Sequence, residues 1–133
     1  MASAKELRDS ITKNREALKA AIEASADKWE TAAGDGSSPR QNAESAIGAD
    51  LKDGQQAAAI LGGNPPPTVE TSFPTAADAV AALSKIGPEI DKRFSWAEDR
   101  DLSKAQGGST LESIFTHAMT NLAESAEKIK AGS

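Results

Sequence analysis

The 133-residue chain has no cysteine and no tyrosine, a single histidine, and only five aromatic residues, three Phe and two Trp. Without cysteine there are no disulfides, no thiolate nucleophile and no Cys-type zinc site. No apolar run approaches the roughly 18 residues of a membrane span, and no signal-peptide core is present, so a soluble cytoplasmic protein with no membrane partner is the expectation. Large apolar residues are also scarce. Val, Ile, Leu and Phe together number 21, below the roughly 20% at which disorder becomes a serious reading. Two features decide against disorder: a net charge of only −5, and 26 alanines concentrated in helix-forming segments. Twenty carboxylates against fifteen Lys and Arg leave no basic face on which phosphates could displace counterions, so nucleic-acid binding is not expected. The length allows one domain, 1–133.

The apolar residues that are present recur at helical intervals. Leu7, Ile11, Leu18 and Ile22, with Asn14 on the same stripe, predict a first helix from Ala4 to about Lys28. Ser38, Pro39 and Gln41 form a start signal, a capping box with proline at the first helical position, for a second helix running to about Leu61. Gly62-Gly63 and Asn64-Pro65-Pro66-Pro67 end it. Thr75 is the expected cap of a third helix carrying Val80, Leu83, Ile86 and Ile90, with Gly87-Pro88 expected to kink or split it. The segment from Ser109 to Glu112 reads as a capping box opening a fourth helix with Leu111, Ile114, Phe115, Ala118, Leu122 and Ile129 on its apolar face. Helices of this size are about 33 Å long, and the stretch from Gly62 to Pro74 can extend to about 43 Å. A connection of that reach lets helices two and three run parallel, so an up-down-down-up order is open beside a simple meander.

Two stretches carry a family resemblance. The first is Trp29 followed by Ser38-Pro-Arg-Gln-Asn-Ala-Glu-Ser45-Ala-Ile-Gly; the second is Asp101-Leu102 followed by Gly107 to Ile129, with His117, Asn121 and Ser125. Together they resemble the DinB-like (YfiT-like) four-helix bundles. The resemblance implies an all-α four-helix bundle with a long crossover between helices two and three. In metal-bearing relatives it implies three histidines, one near the start of helix two and an HxxxH pair on the last helix, and thiol-dependent S-transfer or isomerisation as the activity. An i, i+4 pair of imidazoles lies on one helix face and can grip one ion. On this chain the matching positions are Ser45, Asn121 and Ser125, whose hydroxyl and amide oxygens are poor ligands for zinc or nickel. On this resemblance the chain is either a member specialised away from metal chemistry or an engineered variant of the scaffold.

Several residues are candidates for function. Ser45, His117, Asn121 and Ser125 are expected to line the cleft where relatives hold their metal, a setting for a polar small molecule. His117 reads either as a residual ligand or general base, or as a histidine bonded to a neighbouring backbone or carboxylate group. Glu44, Asp50, Glu124 and Glu127 could offer oxygens to magnesium or calcium, but read more simply as acids on solvated helix faces. Phe94 and Trp96 are candidates for a protein partner or for closing the end of the bundle. Lys92, Arg93, Glu98, Asp99, Arg100 and Asp101 crowd that segment with charges that belong in water, which predicts a partly exposed Trp96 and leaves Leu102 to plug the bundle end. The thin core makes a homodimer the expected assembly. The reading is a bundle without cofactor or metal that acts by binding an unidentified small molecule or protein rather than by catalysis; the alternative, which keeps the enzyme question open, is a metal-dependent thiol S-transferase or isomerase.

Overall fold

The computed structural model describes residues 2–34 and 36–132. Four helices make up most of it: α1 (Ala4–Ala24), α2 (Pro39–Leu61), α3 (Ala76–Phe94) and α4 (Leu111–Gly132). Three begin at capping boxes, on Ser3, Ser38 and Thr75, in which the cap side chain accepts the third backbone N–H and the third side chain returns the bond. α1 stops at Ala24, short of the expected Lys28. There Ser25 turns its hydroxyl back onto the Ile22 carbonyl at 2.9 Å, and Ala26–Lys28 form a separate 3-10 turn. α2 ends at Gly62, whose φ of 77° is the left-handed conformation that glycine adopts without strain.

The Gly87-Pro88 pair does not split α3, which is continuous from Ala76 to Phe94. A proline removes one backbone donor, and the carbonyl deprived of it belongs to Ser84, an exposed residue whose carbonyl can turn to water. α4 begins two residues later than the expected cap. Ser109 is taken by a short antiparallel hairpin, β1 (Ala105–Gln106) with β2 (Ser109–Thr110), turned by Gly107 and Gly108 at φ 64° and 85°. Thr110 is the cap instead, its Oγ1 accepting Ser113 N–H at 3.1 Å. Two-residue strands carry too little periodicity to be read from sequence.

α1 packs against α3 and α4, and so does α2, which leaves α1 facing α2, and α3 facing α4, across the core. Leu7, Ile11, Leu18 and Ile22 meet Ile47, Leu83, Ile86, Ile90, Leu111, Phe115, Leu122 and Ile129 there. Alanine and glycine set the spacing. A Cβ on Gly54 would lie 3.0 Å from Ile90, so α2 and α3 approach as closely as a bare backbone allows. Phe94 and Phe115 bridge the α3–α4 diagonal at a centroid distance of 4.7 Å.

The other diagonal is bridged by charge. Arg15 replaces an apolar residue within the stripe of α1 and is buried. Its Nε and Nη2 donate to the two oxygens of Asp50 on α2 at 2.7 and 2.8 Å, and its Nη1 reaches Asp91 on α3. Burial opposes the guanidinium charge, but the two carboxylates outweigh it and hold the proton more firmly than in water. Asp50, 0% exposed, is therefore a core residue and not an acid on a solvated face. Gly87 makes room for the fork, since a Cβ there would sit 3.0 Å from Arg15 Cδ.

The connection from Gly62 to Pro74 runs back along α2: Pro66 lies against Gly54, Thr71 against Gly48, and Phe73 N–H donates to Glu44 at 2.8 Å. Its prolines supply no donors, and the bundle holds both of its ends. Arg93 donates to the carbonyls of Asn64 and Pro65 at 2.8 and 3.1 Å, and Trp29 Nε1 donates to Phe73 O at 2.7 Å. Arg93 and Asp101 are thus buried and hydrogen-bonded, contrary to the expectation that every charge near Trp96 stays in water. Leu102 is buried at the bundle end as expected. No helix among the described residues is long and apolar enough to cross a membrane.

Two outcomes test this account. Arg15→Met strands the buried Asp50 charge and should cost about 3–5 kcal/mol in urea unfolding, while adding Asp50→Leu should recover most of that loss. For Glu44, burial pushes the carboxyl up, but the Phe73 N–H and Arg40 together hold it below its ordinary value. A depressed folded pKa contributes stability that is present above the unfolded value and lost as pH falls through the folded one. Glu44→Gln should therefore lower stability by about 1–2 kcal/mol at neutral pH, with the difference fading as urea titrations are moved below about pH 4.

Candidate functional site

Asp53 sits one turn beyond Asp50 on α2, turned toward α4. Its Oδ2 is 2.7 Å from His117 Nδ1. The two side chains differ sharply in environment, Asp53 being 6% and His117 61% exposed. Burial pushes the Asp53 carboxyl up from its ordinary value, His117 opposes that, and the neighbouring Asp50 reinforces it. The pair forms part of a groove of about 480 Å³ lined by Ala49, Lys52, Gln56, Ser109, Ser113 and Ile114. An acid bound to one ring nitrogen fixes the orientation of the imidazole, and its other nitrogen, Nε2, points away from Asp53 as a proton acceptor or, once protonated, a donor.

The other expected cleft residues are spent differently. Asn121, one turn after His117, donates its amide to the Ala46 carbonyl of α2 at 3.2 Å, and Ser125 donates to Asn121 Oδ1 at 3.4 Å. Both are half-buried, and Ser45 is exposed. His117, Asn121 and Ser125 thus follow one face of α4 against α2, but only His117 opens on the groove. Asn14, on the opposite side of α4, donates to the Met119 carbonyl at 2.9 Å. Among the described residues no three His, Asp or Glu side chains converge as a metal cluster would require. Glu124 and Glu127 are exposed, and Glu44 is engaged by Arg40 and Phe73 N–H.

Comparison with protein-family models, with curated proteins and with solved structures finds no match. What the structure shares with the bundles that the motifs resemble is four packed helices.

Sequence reading singled out His117 but not Asp53. The available signal was spacing. Asp50 and Asp53 stand among Ala46, Ile47, Leu51, Gly54 and Ala57, all buried, and an acid within a buried stripe needs a partner.

Phe94 and Trp96 part ways. Phe94 is buried on Phe115, whereas Trp96 is 41% exposed, the one large apolar side chain so exposed among the described residues. Its ring lies over Gly63, and Arg93 lies 5.8 Å from its centroid. A Cβ on Gly63 would come within 2.0 Å of the ring, and the ring, being at the surface, can swing away. In a Trp29→Phe background, Gly63→Ala should red-shift the Trp96 emission toward that of a solvated indole while changing stability by about 1 kcal/mol or less.

Proposed function

We propose that the chain is a DinB-like bundle in the up-down-down-up order which acts by binding a small polar molecule and not by catalysis, with the α2–α4 groove as its binding site. The observation that carries this reading is the Asp53–His117 pair. A buried carboxylate and an exposed imidazole are held together beside an ammonium, an amide and two hydroxyls in one concave surface. Ligand sites combine a recess with a few polar groups of fixed orientation, and here the acid fixes the ring. The fold component rests on the course of the crossover, which returns along α2 so that α3 starts beside the first turns of α2, as DinB-like order requires.

The enzyme alternative needs a divalent metal at Ser45, Asn121 and Ser125. Those side chains offer only neutral oxygens, and the Asn121 amide already bonds to the α2 backbone. A protein-interaction role has one specific support, the exposed Trp96 with Arg93 beneath it.

A fragment screen followed by two-dimensional amide NMR tests the reading. Fragments should perturb Lys52, Asp53, Gln56, Ser113 and His117 as one group. Perturbations confined to other faces, or stoichiometric zinc or nickel in untagged protein after dialysis against a weak chelator, would overturn it.

A further inference from the structure

We infer that the groove between α2 and α4 takes a small oxyanion, a carboxylate or a tetrahedral phosphate-like group, and that His117 makes its capture proton-linked. The inference rests on that groove being the binding site and adds the chemical class of the ligand.

Four polar side chains lining the groove can donate to a ligand. Lys52 supplies an ammonium, Gln56 an amide, and Ser109 and Ser113 hydroxyls, while Ala49 and Ile114 are the apolar members. Polar side chains outnumber the two apolar ones in this lining, and a cationic ligand would meet Lys52. Asp53 does not reverse this balance, because its charge is buried and directed to His117 Nδ1. With His117 protonated, the ring stands between the buried carboxylate and the groove. Its Nε2–H then joins Lys52 as a second charged donor, and charge-assisted donors to an oxyanion are the stronger class of hydrogen bond.

Three charged groups of α2 stand around the ring: Asp53 meets Nδ1 directly, Asp50 lies one turn before it paired to Arg15, and Lys52 lines the groove. The hairpin contributes Ser109 and α4 contributes Ser113 to the lining, both uncharged. A bound oxyanion would accept from the Lys52 ammonium and from Nε2–H together. Proton and anion binding assist each other, and affinity must fall as pH rises through the imidazole range.

The single histidine gives one unambiguous ring signal for NMR. The full chain is titrated with acetate and with inorganic sulfate, both of which keep their charge between about pH 6 and about pH 8, so that pH dependence belongs to the protein. Saturable shifts of the His117 ring signal are expected, with affinity about tenfold or more weaker at the higher pH and a raised ring titration midpoint when the anion is present. A preference for acetate assigns a carboxylate ligand, and one for sulfate a phosphate-like ligand. Lys52→Ala, which leaves the Asp53–His117 pair intact, should weaken the preferred anion several-fold, and His117→Gln, checked for native amide dispersion, should abolish the pH dependence. Linear, non-saturating drift with both anions, or binding that ignores pH and His117→Gln, would overturn the inference. If fragments still occupy the groove in that case, the binding reading survives it; if nothing occupies the groove, both fall together.

Discussion

A guanidinium taken out of water is tolerated only when its donors are matched, and the Arg15 fork is where this bundle meets that requirement. Two bonds go to Asp50 on α2 and one to Asp91 on α3, so a single side chain of α1 fixes the position of two other helices. The apolar contacts around it are adaptable in register, because alanine against alanine packs nearly as well one turn away. The fork is not adaptable. Sliding α2 by one turn would leave Asp50 facing Ile or Leu with its charge unpaired, at a cost of several kcal/mol. Gly87 belongs to the same constraint, since the space a Cβ would take is occupied by the Arg15 side chain.

From that anchored turn the rest of the bundle is assembled in order. Asp53, three residues after Asp50, ties α2 to α4 through His117, so one turn of α2 has polar links to both α1 and α4. Asn121 adds a second α4–α2 link through a backbone carbonyl. The crossover is then pinned at its start by Arg93 and at its end by Trp29 and Glu44. In a chain with few large apolar residues, these directed polar contacts supply the specificity that alanine cannot, because alanine buries little area and has no rotamer to lock.

The same economy shapes the candidate site. Its two principal members have opposite burial, which leaves the acid to orient the ring and the ring exposed on the groove. Asn121, which the family resemblance marks as a ligand position, instead bonds α4 to the α2 backbone, and Ser125, the other such position on α4, donates to Asn121 within the same helix. Helix–helix bonding and the groove thus divide one face of α4, the first using its middle and the second its N-terminal third.

The sequence by itself determined the helices, because their signals are local: capping boxes at Ser38 and Thr75, glycines and prolines after Leu61, and apolar residues every three or four positions. Local chemistry also explains why Pro88 looked more disruptive than it is, since sequence does not reveal that the carbonyl it deprives belongs to an exposed residue. What the tertiary structure decided are the pairings over distance. Arg15 with Asp50, Asp53 with His117 and Asn121 with Ala46 join residues 35, 64 and 75 positions apart. A charged residue inside an apolar stripe announces that a partner is needed, but α2 and α3 carry six acids that could have answered Arg15, and the choice among them follows only from how the helices cross. His117 was visible as the sole histidine; its acid was not, because Asp50 and Asp53 stand three residues apart on α2, and which of them faces α1 and which α4 follows only from how the helices cross.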